Sequence, residues 1–187
     1  MLPITLDLAR IRVILAGEGA AARRRLALLD EAGASALEVY ARSPAPALAE
    51  AAGPRLRRRL PRAAEIARAQ VVFLAGLPEP FATKIARLAS AAGALVNVED
   101  DRRRSHFHSP AILRRGGLTV AVSTGGRCPG LAALIRRDLE RHLGSEWVGR
   151  LDEIAALREG WRGAGAEPAT IRRWTAAWAE RQGWLCR

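Results

Sequence analysis

The feature that most constrains the fold is a glycine-containing turn between an apolar segment and a helical one near the start of the chain. The segment IRVILAG at 11–17 is short, rich in β-branched residues and ends in glycine, which is typical of a buried strand. Residues 20–32 then carry leucine and alanine at helical spacing and stop before a glycine. At the junction, Gly17, Gly19 and Ala22 form a G-x-G-x-x-A pattern. In this context the pattern predicts a dinucleotide-binding unit.

Each position of this pattern has its own physical role. The first glycine makes a tight turn, the second lets a pyrophosphate approach the backbone, and the third small residue lets the helix pack on the strand. The N-terminus of the helix then faces the phosphates. We therefore expect the following residues to contact a bound dinucleotide: Gly17, Gly19, Ala20, Ala21 and Ala22.

The residues that would hold the adenosine ribose are less typical of NAD-binding domains. Such domains usually place an acidic residue about 20 residues beyond the motif, on the ribose hydroxyls. Here the second predicted strand ends in VYARS, so the candidates are Arg42 and Ser43, a pair better suited to a 2′-phosphate than to a free diol. Alternatively, Arg42 is a solvated loop residue and backbone groups hold the ribose. These residues alone leave NAD and NADP open.

Apolar segments and helical patterns alternate through the first two thirds of the chain. Further strands are predicted over 36–41, 55–60, 70–76 and 94–98 and helices over 45–52 and 79–92; after a change of character, one more strand is predicted over 118–124 and a helix over 129–142. This alternation implies βαβ units and a parallel sheet. The sequence RRGG at 114–117 interrupts the pattern, and beyond residue 142 the chain is predicted to be all helical, with five tryptophans.

Charge and cysteine content restrict the partners and the compartment. The net charge of +11 would suit nucleic acid, an anionic membrane or a polyanionic small ligand, but a bias toward arginine explains the excess equally well. No basic block carries aromatic residues for base stacking, and the uncharged run 88–98 is far shorter than the ~20 residues of a membrane span. No signal peptide is predicted, and Cys128 and Cys186 form no paired spacing. We expect a cytoplasmic protein without membrane or nucleic-acid partners.

A second candidate site follows the strand predicted at 94–98. The segment VNVEDDRRRSHFHSPAI at 96–112 contains three acids, three arginines and two histidines. Ligands of an open parallel sheet lie outside the carboxyl ends of its strands, so a carboxylate here would lie beside the cofactor and could act as a base. The alternative is an ordinary solvated, salt-bridged turn. Spacing alone does not distinguish Glu99, Asp100 and Asp101.

Together these residues resemble the precorrin-2 dehydrogenase and sirohydrochlorin ferrochelatase module of siroheme synthase. The resemblance rests on the glycine loop, on NVED at 97–100, on Phe107 and Pro110, and on VAVSTGGRCPGLA at 120–132. It implies NAD-dependent dehydrogenation of precorrin-2 to sirohydrochlorin, in some members followed by insertion of ferrous iron as a substrate. It also implies a homodimer, here a stand-alone module without the methyltransferase half.

The resemblance assigns roles to particular residues. The catalytic acid of the family falls on Asp100, and the family sequence SSGGxSP becomes STGGRCP at 123–129, with Cys128 predicted to be a small buried residue. Precorrin-2 carries many carboxylates, which arginines would attract. The implied substrate-binding residues are Arg103, His106, His108, Ser123, Thr124, Gly125, Gly126 and Arg127. The two histidines could also face ferrous iron, but no third ligand is evident and no metal site is predicted.

We therefore predict an α/β protein in three parts. A Rossmann-like NAD(P)-binding domain with a parallel sheet spans 1–113, a dimerisation region spans 114–145, and a helical C-terminal region spans 146–187. One alternative function is a redox- or nucleotide-sensing module with a nucleic-acid or protein partner and no catalysis. Another is a dimeric scaffold that has lost catalysis. Nothing in the sequence shows whether iron insertion takes place.

Overall fold

A parallel sheet is built around the apolar segment that precedes the glycine turn. In this computed structural model, which describes residues 2–185, five strands pair in the order β3-β2-β1-β4-β5, with every neighbouring pair parallel. The strands are β1 (Arg12–Gly17), β2 (Ala36–Tyr40), β3 (Leu56–Arg57), β4 (Val71–Ala75) and β5 (Leu95–Val98). The predicted Rossmann-like parallel sheet is confirmed.

Helices cover both faces of this sheet because successive residues of its strands point to opposite sides. The connections contain α1 (Gly19–Glu31), α2 (Pro46–Ala52), α3 (Ala63–Ile66) and α4 (Glu79–Ala91). Val13 and Leu15 pack with α1 and α2 on one face. Ile14 and Ala16 pack with α3 and α4 on the other. This double coverage explains why β1 reads as a continuous apolar run.

The charged edge strand is shorter than predicted. A strand was expected over 55–60, but only Leu56 and Arg57 pair with β2. A short 3-10 helix, Gly53–Arg55, precedes the pair, and Arg59 N donates to Arg57 O at 2.8 Å in a turn that follows it. Arg59 lies beyond the strand and pairs with Glu65, whereas Arg57 stays in the strand and lies 3.8 Å from Glu38.

The chain divides into two units, Met1–Ser109 and Pro110–Arg187, and a hairpin opens the second. Strand β6 (Ala111–Arg115) was not predicted, and it pairs antiparallel with β7 (Leu118–Val122). The sequence RRGG, expected to mark a boundary, contains the turn of this hairpin, where Gly116 has φ +55°. The expected division after residue 113 thus falls inside β6. The dimerisation and helical parts, as functional regions, stay predictions.

The rest of the second unit is helical, as expected. Its helices are α5 (Pro129–His142), α6 (Trp147–Gly163) and α7 (Pro168–Arg181). Prolines occupy the first turn of α5 and α7, where the missing N–H costs no hydrogen bond. Within residues 2–185, no helix combines the length and the apolar character needed to cross a membrane.

Candidate functional site

The glycine loop is tightly packed on one side and open on the other. A Cβ at Gly17 would lie 2.2 Å from Ala75 O and 2.9 Å from the Cβ of Ala22, so only glycine fits between β4 and α1. Gly19 has φ +61°, a conformation that favours glycine, and an added Cβ would meet no atom within 4 Å. The small residue at position 22 has the packing role expected of it. The backbone at Gly19 is left accessible to a ligand.

The N-terminus of α1 has the features of an anion site. The helix starts at Gly19, Glu18 makes no side-chain capping bond to it, and its first turn holds no acidic residue. Among residues 2–185, no carboxylate accepts a hydrogen bond from the amides of Gly19, Ala20 and Ala21, which lie at the carboxyl edge of the sheet. First-turn amides and the helix dipole both favour a phosphate here. The predicted loop residues thus fit the pyrophosphate of a dinucleotide.

A further glycine, next to this loop, was not singled out from the sequence. Gly76 directly follows β4 with φ +67°, and a Cβ there would lie 2.5 Å from Glu18 O and 3.2 Å from the Cβ of Ala21. Glu18 N also donates to Ala75 O at 3.0 Å. The glycine that follows the apolar run VVFLA was the available signal. It lets the β4 turn pack against the glycine loop.

The expected ribose residues lie at the end of β2, but an acid from the glycine loop reaches them. Glu18 Oε1 accepts hydrogen bonds from Arg42 N at 2.7 Å and Ser43 N at 3.2 Å. The Arg42 guanidinium lies over the Phe81 ring, 5.0 Å from its centroid. A carboxylate from the loop after β1 therefore lies at the end of β2, which itself carries no acid there.

The three acids after β5 have different surroundings. Asp101 accepts from the amides of Arg103 at 2.9 Å and Arg104 at 3.1 Å and pairs with the Arg104 guanidinium, whose hydrogen bond lowers the pKa of Asp101. Glu99 lies 3.7 Å from Arg24. Asp100 is exposed and, among residues 2–185, has no hydrogen-bond or ion-pair partner through its side chain. The structure thus separates one free acid from two that hold the loop.

The backbone of Asp100 is also unusual. Among the non-glycine residues that the structure describes, only Asp100 has a positive φ, which is +58°. Aspartate tolerates this conformation better than most residues, but it remains sparsely populated and often occurs at functional sites. The strained position is held by its neighbours, because Asp101 N donates to Val98 O at 3.2 Å and Glu99 N donates to Leu74 O at 2.9 Å. Asp100 therefore projects from a fixed turn at the carboxyl end of β5.

The expected substrate-binding residues of the same segment lie along or beyond the edge of β5. His106 N donates to Val96 O at 2.8 Å, Val96 N lies 3.4 Å from His106 Nδ1, and His106 Nε2 lies 3.4 Å from Ser90 Oγ. His106 thus covers the strand edge, whereas His108 is half-buried and Arg103 is exposed. Across the described part of the chain, no group of three or more His, Cys, Asp or Glu could hold a metal ion.

Another arginine of this region was missed by sequence reasoning. Arg25 of α1 donates to Ser109 Oγ at 2.5 Å and lies over the Phe73 ring, 5.1 Å from its centroid. Phe107 meets Phe73 edge to face at 5.4 Å. Burial lowers the pKa of Arg25, and Glu99 partly opposes that effect. Its position within a run of three arginines gave no signal that one of them secures the segment after Asp100.

The remaining expected residues form the loop between β7 and α5 in the second unit. Thr124 Oγ1 accepts from Cys128 N at 3.1 Å, and Ser123 Oγ accepts from Gly125 N at 3.2 Å. Gly125 and Gly126 have φ of +63° and +73°, and the side chain of Arg127 is exposed. Cys128 is exposed and precedes α5, so the prediction of a buried residue there is wrong.

Comparisons with known proteins identify similar sequences. Residues 4–111 match the model of a family described as putative NAD(P)-binding, and residues 115–142 match one described as sirohaem biosynthesis protein central. Siroheme synthase of Chromobacterium violaceum is 40% identical over 146 residues, which cover 74% of this chain and 30% of that protein. Siroheme synthase of Tolumonas auensis is 34% identical over 186 residues, covering 89% and 39%. The chain spans about a third of the length of these relatives.

A solved structure has the same fold. The protein titled SirC, precorrin-2 dehydrogenase, superposes with a TM-score of 0.77 at 19% identity. The match covers 99% of this chain and 92% of the other. The likeness therefore extends over both units of the chain and establishes the fold.

Proposed function

Since the chain belongs to the putative NAD(P)-binding family that matches residues 4–111, we propose that it dehydrogenates precorrin-2 to sirohydrochlorin, with NAD as the hydride acceptor. Relatives named siroheme synthase and a similar structure named precorrin-2 dehydrogenase support this choice of reaction. The observation that carries the proposal is Asp100, whose carboxylate has no partner among residues 2–185 and whose strained backbone lies at the carboxyl edge of the sheet.

The strand order supports a position of Asp100 near the proposed cofactor site. The strand order puts β5 two strands from β1, whose end carries the glycine loop. At about 4.8 Å between neighbouring strands, the two strand ends are roughly 10 Å apart. A dinucleotide whose pyrophosphate lies at the N-terminus of α1 can extend across that distance. Asp100 is therefore positioned on the edge where the reactive end of the cofactor would lie.

The chemistry requires one proton acceptor from the protein. Dehydrogenation removes a hydride and a proton from the reduced tetrapyrrole, and NAD supplies the hydride acceptor when bound. We assign the proton to the carboxylate of Asp100, which no cation of the described residues neutralises. Asp101 and Glu99 are already paired with arginines and hold the turn. The proposal covers dehydrogenation, since no observation in the described residues favours iron insertion.

Substitution of Asp100 tests this assignment. Asp100→Asn keeps a side chain that tolerates positive φ, so the turn should persist while the base is lost. Under anaerobic conditions with precorrin-2 and NAD, we expect sirohydrochlorin and NADH to form at least about 100-fold more slowly than with the wild type. NAD binding measured by calorimetry should be unchanged. The matched control is Glu99→Gln, which should retain most of the activity.

Several outcomes would contradict the proposal. Full activity of Asp100→Asn would move the base elsewhere. No sirohydrochlorin from the wild type, together with normal NAD binding, would instead favour a nucleotide-sensing module without catalysis. Failure to bind either NAD or NADP would remove the cofactor site itself.

We further propose that exposed basic side chains bind the carboxylates of the substrate. Arg103 follows Asp100 by three residues and has no side-chain hydrogen bond among residues 2–185, and Arg127 is exposed in the loop before α5. Arginine binds carboxylates by paired hydrogen bonds. Arg103→Ala should raise the KM for precorrin-2 about tenfold, the equivalent of about 1.4 kcal/mol, while NAD affinity stays unchanged. An unaltered KM would exclude this role.

We also propose that the chain forms a homodimer through its second unit. Leu131, Leu134 and Ile135 of α5 are all at least 40% exposed, an apolar surface that water solvates poorly. Sedimentation should show a dimer, and Leu134→Glu should convert it to a monomer with unchanged helix content by circular dichroism. A monomeric wild type would refute the dimer without affecting the assignment of Asp100.

A further inference from the structure

Hydrogen bonds between the glycine loop and the end of β2 bear on which dinucleotide the site would bind. Glu18 stands between the two glycines of the motif, and its Oε1 accepts from two successive backbone amides, at 2.7 Å from Arg42 N and 3.2 Å from Ser43 N. These residues lie where the adenosine ribose of a dinucleotide is held in this type of domain. A carboxylate is thus fixed at the ribose position although β2 itself ends without one.

Without that carboxylate, the same residues would form a good phosphate site. Two successive amides, the guanidinium of Arg42 and the hydroxyl of Ser43 are donors of the kind that bind a phosphate. In the structure the carboxylate of Glu18 already accepts a hydrogen bond from each of the two amides. The guanidinium lies over the ring of Phe81 at 5.0 Å. The two amides are therefore already hydrogen-bonded within the protein, and the guanidinium is stacked on an aromatic ring.

We propose that Glu18 selects NAD over NADP by covering a latent phosphate site formed by Arg42 and Ser43. A ribose diol donates hydrogen bonds, which a carboxylate can accept. A 2′-phosphate would compete with Glu18 for the two amides, and the like charges repel. The inference deepens the proposed function and rests on its dinucleotide site, but it does not depend on the identity of the substrate.

Two substitutions separate the charge of Glu18 from its occupation of the amides. Glu18→Gln removes the charge and keeps an oxygen that can accept from them, whereas Glu18→Ala removes both. Affinities for NAD and NADP are measured by calorimetry on the full chain without tetrapyrrole. The wild type should bind NAD at least roughly tenfold more tightly. Glu18→Gln should raise NADP affinity about tenfold, as expected when one nearby like charge is lost, and Glu18→Ala should raise it further.

Further variants control for general charge effects. Glu31→Gln makes the same charge change at the exposed far end of α1 and should leave the NAD-to-NADP ratio at its wild-type value. Adding Arg42→Ala to Glu18→Ala should return NADP affinity to about the wild-type level, because the guanidinium is then absent. Thermal unfolding of each variant verifies that it is folded. Since Glu18→Gln preserves the acceptor, it keeps the test valid if Glu18→Ala fails to fold.

The outcomes distinguish this inference from the proposed reaction. An unchanged NAD-to-NADP ratio in both Glu18 variants overturns it, as does a wild type that binds NADP as tightly as NAD. A wild type that binds neither dinucleotide overturns both the inference and the cofactor site. A shift in the ratio as expected, in a protein that does not oxidise precorrin-2, supports the selection by Glu18 and overturns the proposed reaction.

Discussion

The two units of the chain bury very different amounts of apolar surface. Among the described residues, all but three of the buried apolar side chains lie in Met1–Ser109, and the exceptions are Leu113, Ala132 and Ile171. Strand β4 is buried at every position, whereas β6 has one buried residue, Leu113, and β7 alternates between half-buried and exposed residues. The first unit therefore has a core of its own, in the manner of a doubly covered parallel sheet.

The two units therefore differ in how tightly their residues are packed. In the first unit, close contacts dictate the shape of the glycine loop, because Gly17 and Gly76 leave no room for a Cβ. In the second unit, apolar side chains such as Leu134 and Ile135 stay at the surface. Burial of apolar surface contributes about 25 cal/mol per Å², so an exposed apolar helix face gains from a partner surface. The dimer proposed above is the partner that fits this need.

Truncating a buried leucine of the first unit should cost much more stability than truncating an exposed leucine of the second. Leu15 in β1 is fully buried, so Leu15→Ala should lower the free energy of unfolding by about 2–5 kcal/mol. The same change at Leu134, which is 56% exposed, should lower it by less than about 0.5 kcal/mol in the monomer. Urea unfolding of both variants, followed by circular dichroism at low protein concentration, makes the measurement. Equal losses at the two positions would show that the second unit depends on α5 burial after all.

A glycine-to-alanine substitution should have opposite effects on stability in the two units. A Cβ at Gly17 would lie 2.2 Å from Ala75 O, so Gly17→Ala must displace β4 or α1, at a cost of about 1–3 kcal/mol. NAD affinity should fall as well, because the loop changes shape. Gly149 of α6 has open space around it, so Gly149→Ala should stabilise by about 0.4–1 kcal/mol. Opposite signs are expected in thermal unfolding, and a harmless Gly17→Ala would refute the close packing of the loop.

The different burial in the two units also explains which strands and helices could be predicted from the sequence. Periodicity identified β1, α1 and α4 because their apolar residues face a core within the same unit, where pattern and burial coincide. It missed β6, since AILRR is neither continuously apolar nor strictly alternating, and one of its residues, Leu113, is buried. Where burial is slight, the sequence pattern that reports it is weak.

The candidate site was predictable to the extent that local sequence determines it. Gly19 is required by its own positive φ, and Ala22 packs against Gly17, five residues earlier in the chain. By contrast, the hydrogen bond that Arg42 N donates to Glu18 joins residues 24 positions apart, and it depends on how β2 ends beside the loop. The separate surroundings of Glu99, Asp100 and Asp101 depend likewise on Arg24 and Arg104. Such tertiary contacts have no signature in spacing.

The smallest expected effect concerns an ion pair at the edge of the first unit, where its apolar core ends. Arg59 donates to both carboxylate oxygens of Glu65, and Arg62 N donates to Oε2 at 2.7 Å. The hydrogen bond from Arg59, with the Arg62 amide, lowers the pKa of Glu65 to about 2 from its usual 4.5. A carboxyl with a lowered pKa stabilises the fold above its unfolded-state pKa, and that contribution is lost as the pH falls from 4.5 toward 2.

Glu65→Gln should therefore destabilise the protein slightly at pH 7, and its difference from the wild type should shrink between pH 4.5 and about 2. Urea unfolding across this range measures the difference. Removing the partner provides the control: in an Arg59→Ala background, the same substitution should show a much weaker pH dependence, since the main cause of the pKa shift is gone. A pH-independent difference in the wild-type background would mean that Glu65 acts through the shape of the turn before α3, and that the edge of the first unit, like its core, is held by packing.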